Sequence, residues 1–189
     1  DKVVLILGNH DIQYWIRELE GYTVFAQGFR SGMVTDMQPI FKEAIEEGLF
    51  KLAYQHNNFL FTHAGVTQGW WNNVSEEIFD RPHRLSFLWE GGNVADKINS
   101  LLHLNSHHLI ANPFGRGGCS PYGGPLWATV GEMIKNPLQG FHHIVGHTKV
   151  DDIWTNKLTE NSDTSTTFID VIGNRMESNP KFLKLLINE

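Results

Sequence analysis

A chain of 189 residues with 41% hydrophobic residues is long enough for one sizeable core and sits within the usual range of a single domain. Its 15 Lys and Arg against 21 Asp and Glu leave a formal net charge of −6, and the cations are scattered, so no basic field exists to hold nucleic acid by counterion release. The longest apolar stretch is far too short to span a bilayer, and the single cysteine, Cys119, excludes an intramolecular disulfide, so a soluble protein of a reducing compartment, the cytoplasm, is expected, with no membrane partner.

The chain opens on Asp1 and enters an apolar run almost at once, an abruptness that predicts preceding residues in the natural protein. That run, Val3-Val4-Leu5-Ile6-Leu7, has the pattern of a strand buried on both faces and leaves the polar cluster Asn9-His10-Asp11 at its C-terminal end. Ile12, Trp15, Ile16 and Leu19 then recur at helical spacing, with Gly21 as the stop. Residues 36–47 predict a second helix with Ile40, Phe41, Ala44 and Ile45 on one face and Gly48 at its end. Phe59-Leu60-Phe61 reads as a short buried strand running into Thr62-His63-Ala64-Gly65. Trp70-Trp71, a helix over 94–102 and a Gly- and Pro-rich segment over 112–125 predict a helical insertion or cap spanning about 66–140 within the one domain of 1–189. Ile144-Val145 leads into Gly146-His147-Thr148, and 152–154, 166–171 and 182–187 are further strand candidates around a polar loop over 159–165.

Three apolar strands therefore each deliver a histidine at the C-terminal end, where layered α/β folds gather their ligand sites. Gly8-Asn9-His10-Asp11 sets a neutral oxygen donor beside an imidazole on a tight turn. Taken in order with Thr62-His63-Ala64-Gly65 and Gly146-His147-Thr148, it resembles the later motifs of the calcineurin-like metallophosphoesterase superfamily, nearest the branch of phosphoprotein phosphatases and bacterial dinucleoside tetraphosphatases. The resemblance implies an α/β fold, a β-sandwich of mixed sheets flanked by helices. It also implies that Asn9, His63 and His147 ligate one of two divalent metals, manganese, iron or zinc, and that they face one crevice. His10 would be the general acid that protonates the leaving oxygen while metal-activated water attacks phosphorus.

The implied activity is hydrolysis of phosphomonoesters, phosphoserine and phosphothreonine among them, so a phosphoprotein or a nucleotide is the expected partner. Hydrolysis of dinucleoside polyphosphates shares these motifs and is the alternative. A non-catalytic binding module or an inactive fragment is the alternative of another class, because the family's first two motifs, Asp-x-His and Gly-Asp-x-x-Asp-Arg, do not occur in this sequence. In the family those motifs supply the other metal's ligands, the bridging Asp and a phosphate-binding Arg. Lys149 stands where other branches carry a second histidine after the Gly-His pair, a departure shared with the phosphoprotein-phosphatase branch.

Arg116, in Gly115-Arg116-Gly117-Gly118, is the remaining candidate for gripping phosphate, since a guanidinium on a glycine-flanked loop can meet phosphate with bidentate geometry; a simple turn explains the same residues. Trp70, Trp71, Trp89 and Trp127 read as packing or as an apolar wall. His142 and His143 alternate across a strand and read as packing or as contacts behind the site's ligands, while His107 and His108 fall in a polar connector.

Overall fold

The computed structural model describes residues 3–16, 29–81, 86–104, 106–171 and 183–185. Its centre is a mixed five-stranded sheet in the order β3-β4-β5-β7-β6, built from β3 (Ala53–His56), β4 (Phe59–Thr62), β5 (His142–Val145), β6 (Trp154–Lys157) and β7 (Ser165–Phe168). The inner strands β4, β5 and β7 run parallel, Leu60 beside His143 and His143 beside Thr166, so all three open their C-terminal ends on the same edge. Antiparallel β3 and β6 close the two sides. The β3–β4 hairpin turns at Asn57, whose φ of 52° is the left-handed conformation that asparagine tolerates. With the flanking helices this is a mixed α/β fold, as expected.

The first apolar run corrects the expectation of a strand buried on both faces. Only Leu5–Ile6 forms a strand, β1, and it pairs in parallel with β2 (Phe50–Lys51) in a separate two-stranded sheet. Pleating turns Val3 and Leu5 outward, 72% and 48% exposed, because no further strand among the described residues covers that face. Leu7, just past the strand, is buried and its N–H donates to the Lys51 carbonyl. The helical spacing after it yields a 3-10 turn over Ile12–Tyr14, and residues 17–21 lie outside the described residues.

Helix α1 (Val34–Glu46) ends at Gly48, whose φ of 69° suits a glycine past a helix C-terminus. Phe41 and Ile45 are buried, but Ile40 is 55% exposed, a second correction: one position along a helix rotates by about 100°, enough to leave the buried stripe. α3 (Val94–Leu104) buries Ile98 and Leu101 as the period requires. The strand expected at 152–154 begins only at Trp154; of the one expected at 182–187, residues 183–185 are described and form no strand, and the rest lie outside the described residues.

The segment 66–140 is helical, with α2 (Gln68–Val74), α3 and α4 (Val130–Lys135). Its Val66, Trp70, Val74, Ile98 and Leu101 join Leu7, Leu52 and Leu60 in one core cluster, so it packs into the body of the fold. Full burial of a side chain such as Leu60 is worth about 1.5–3 kcal/mol, which makes this shared core the main support of the strand ends. Trp70, Trp89 and Trp127 are buried, in line with packing roles.

Candidate metal centre

β4 ends at Thr62 and hands His63 to the sheet edge; β5 ends at Val145 and hands over Gly146-His147. The Gly146 N–H donates to the His63 carbonyl at 2.9 Å, tying the two loops together. His147 takes φ = 66°, an uncommon conformation for a residue with a Cβ, which aims its ring back across the strand ends. Asn9 arrives from the other sheet, on the turn after β1, where the Asp11 carboxylate accepts the Gly8 N–H at 2.8 Å and holds the turn closed. The glycine leaves little room: a Cβ at Gly8 would meet the His63 ring at 3.0 Å and the Asp11 carboxylate at 3.3 Å, and these side chains would have to give by a few tenths of an ångström.

These three sources converge. His63 Nε2 lies 3.0 Å from Asn9 Oδ1 and 2.9 Å from His147 Nδ1, although 54 and 84 residues separate them in sequence. The Asn9 oxygen only accepts hydrogen bonds. If His63 Nε2 carries a proton, one hydrogen must serve two acceptors; if His147 Nδ1 carries it, the Asn9 oxygen faces a bare lone pair. A single proton serves both contacts only if His63 Nε2–H is shared between the two acceptors, whereas a cation at the focus would meet all three lone pairs. These two spacings lie about half an ångström inside the roughly 3.4 Å between ligand atoms around a tetrahedral ion with bonds near 2.1 Å. Mixed imidazole and amide-oxygen donors suit manganese, iron or zinc, so the residues fit the group that the resemblance implies.

Burial is the first cause that lowers both imidazole pKa values, His63 to about 4 and His147 to about 3. Arg116 next, then His63 and His10, push His147 further down; Asp11 and Asp170 partly oppose the effect at His63. Both rings are therefore neutral at neutral pH and offer lone pairs. His10 is exposed on the turn beside Asn9 and feeds repulsion into both rings, which places it at the mouth of the site.

Arg116 also reaches this edge. It ends a 3-10 turn over Phe114–Arg116, followed by Gly117 at φ = 77°, and one guanidinium nitrogen donates to the hydroxyl of Thr148, the neighbour of His147. Its Nε is buried and has no hydrogen-bond partner among the described residues. Burial lowers the Arg116 pKa, and Glu132 opposes the shift. Trp127 packs edge-on against the His147 ring at 6.0 Å.

Two features escape a sequence reading. Asp170 follows β7 at the same sheet edge and acts electrostatically on His63; its only signal is an acidic residue two positions past an apolar strand end. His108 is 9% exposed, not a connector residue in solvent, and sits with His107 beside Glu77. His142 bonds the Ser165 hydroxyl, and His143 is buried with Nε2 donating to the Leu138 carbonyl, consistent with packing roles. No protein-family model, curated protein or solved structure matches the chain.

Proposed function

We propose that the protein is a calcineurin-like, metal-dependent phosphoesterase that hydrolyses phosphomonoesters at the edge where β4 and β5 end. The observation that carries this reading is the convergence of Asn9 Oδ1, His63 Nε2 and His147 Nδ1, three ligand atoms that one proton can serve only by being shared. A bound divalent cation supplies charge to a phosphoryl oxygen and lowers the pKa of water. Asn9, His63 and His147 hold it. Arg116 brings beside them a buried guanidinium N–H with no hydrogen-bond partner among the described residues, a donor that a phosphate oxygen would satisfy. His10, exposed at the mouth, gives its proton to the oxygen that leaves with the alcohol.

The test compares variants of the full-length protein on an alkyl phosphate and on an activated aryl phosphate, with manganese content measured alongside. His10→Asn is expected to lower turnover of the alkyl ester by about 10²–10⁴-fold, to spare the aryl ester and to keep the metal. His63→Asn and His147→Asn are expected to lose metal and both activities. Equal losses on both esters together with lost metal in His10→Asn would refute the assignment of His10 as the acid. Running a phosphopeptide beside diadenosine tetraphosphate distinguishes a phosphomonoesterase from a dinucleoside polyphosphate hydrolase.

A further inference from the structure

A second group of side chains of metal-ligating type, Glu77, His107 and His108, shares no residue with the strand-end trio. α2 runs into a π-helical turn over Ser75–Phe79, closed by the Asp80 N–H on the Ser75 carbonyl at 2.8 Å, and such turns frequently mark functional positions. Glu77 stands on it. Opposite is the 3-10 turn His107–Leu109, capped by the Ser106 hydroxyl, which accepts the His108 N–H. The buried Trp70 indole donates to the His108 carbonyl at 3.1 Å and pins that turn.

The backbone is thus fixed, and the three side chains meet one another as an ion-pair cluster. His108 is nine-tenths buried, and the polar neighbour of its Nε2 is Glu77 Oε2 at 3.1 Å, an ion-pair contact outside strict hydrogen-bond geometry. A buried nitrogen left this way is costly unless something else uses its lone pair. His107 Nε2 is 3.8 Å from Glu77 Oε1, and the two imidazoles lie side by side with centroids 4.2 Å apart. All three ligand atoms fall within 4.8 Å of one another. Tetrahedral zinc keeps its ligand atoms about 3.3 Å apart. Closing from one spacing to the other asks only for small side-chain movements of Glu77 and His107, both half-exposed.

We propose that Glu77, His107 and His108 form a mononuclear divalent-metal site of zinc type, independent of Asn9, His63 and His147. Two imidazoles and one carboxylate make a set that leaves a coordination position open. Glu77, His107 and His108 line a cavity of about 570 Å3 together with Arg81, Cys119 and Ser120, with room for water or a small anionic ligand.

Cobalt(II), a spectroscopic stand-in for zinc, tests this in a His147→Asn background that disables the other centre. One equivalent is expected to bind with the intense visible bands of a four- or five-coordinate ion. Adding Glu77→Gln or His107→Asn is expected to weaken binding at least about tenfold and to abolish those bands, with the circular dichroism unchanged. His108→Asn should do the same; because His108 is buried, the two half-exposed positions decide the matter should that variant unfold. Absence of cobalt binding in the His147→Asn chain, or affinity and bands unaltered by Glu77→Gln and His107→Asn, overturns the proposal. Loss of the strand-end centre alone leaves these outcomes unaffected, so the two sites fail separately.

Discussion

At the scale of single residues, the strand-end site depends on atoms that are missing as much as on those present. Gly8 has no Cβ, and the His63 ring fills the space one would take. Gly8→Ala would press a methyl against that ring at 3.0 Å and against Asp11 at 3.3 Å, so the ring must shift by a few tenths of an ångström. Such a shift detunes the 3.0 Å and 2.9 Å spacings to Asn9 and His147. The expected outcome is manganese affinity lower by about tenfold, comparable to disturbing a residue that orients a ligand, with a stability loss of about 1–3 kcal/mol from overpacking. Isothermal titration and a urea melt on the same sample check both halves; unchanged affinity would mean that His63 has slack and that the trio is not held at fixed spacing.

At the scale of elements, polar side chains join what apolar packing brings near. Asn99 on α3 accepts from the Leu52 and Ala53 N–H groups through Oδ1 and donates to the Ala53 carbonyl through Nδ2, so one side chain makes three hydrogen bonds to the strand β3 and its entry. Asn99→Ala is expected to cost about 2–4 kcal/mol, three bonds at about 1 kcal/mol each, whereas Asn99→Asp should cost less because its carboxylate still accepts from both amides. Chemical denaturation ranks the two; equal losses would point to packing rather than hydrogen bonding. This clamp explains why the elements were unevenly legible. β4 and β5 announce themselves through Phe59-Leu60-Phe61 and Ile144-Val145, which are apolar and lie inside the sheet. β3, with Ala53-Tyr54-Gln55-His56 at the edge, lacks any apolar pattern and is held by a helix asparagine that the chain order does not reveal. Asn9, His63 and His147 were readable because each follows an apolar run, whereas Glu77 and His108 meet only through the packing of two separate turns. At α4 the Thr129 hydroxyl accepts the Glu132 N–H and the Glu132 carboxylate accepts the Thr129 N–H, a capping box seen in the structure.

At the scale of the whole molecule, buried neutral histidines couple the fold to pH. His143 lies in the middle of the sheet, fully buried, and burial is the first cause that lowers its pKa to about 4, with His142 adding to the shift and the Leu138 carbonyl opposing it. Unfolded, the same ring titrates near 6.5. Between these values the unfolded chain binds a proton that the folded chain refuses, so stability is fully present above pH 6.5 and drains away as pH falls toward 4. At about 1.4 kcal/mol for each pH unit crossed, this one residue accounts for a loss of about 3 kcal/mol. His63 and His147 are lowered as well and act in the same direction. Urea unfolding of the metal-free protein across that range should therefore show falling stability, and His143→Gln, which cannot take up a proton, should flatten the slope by about the His143 share even though it starts less stable. The slope separates titration from packing: a variant that is merely destabilised by a constant amount, with the pH dependence of the parent intact, would mean that the proton is excluded elsewhere in the fold.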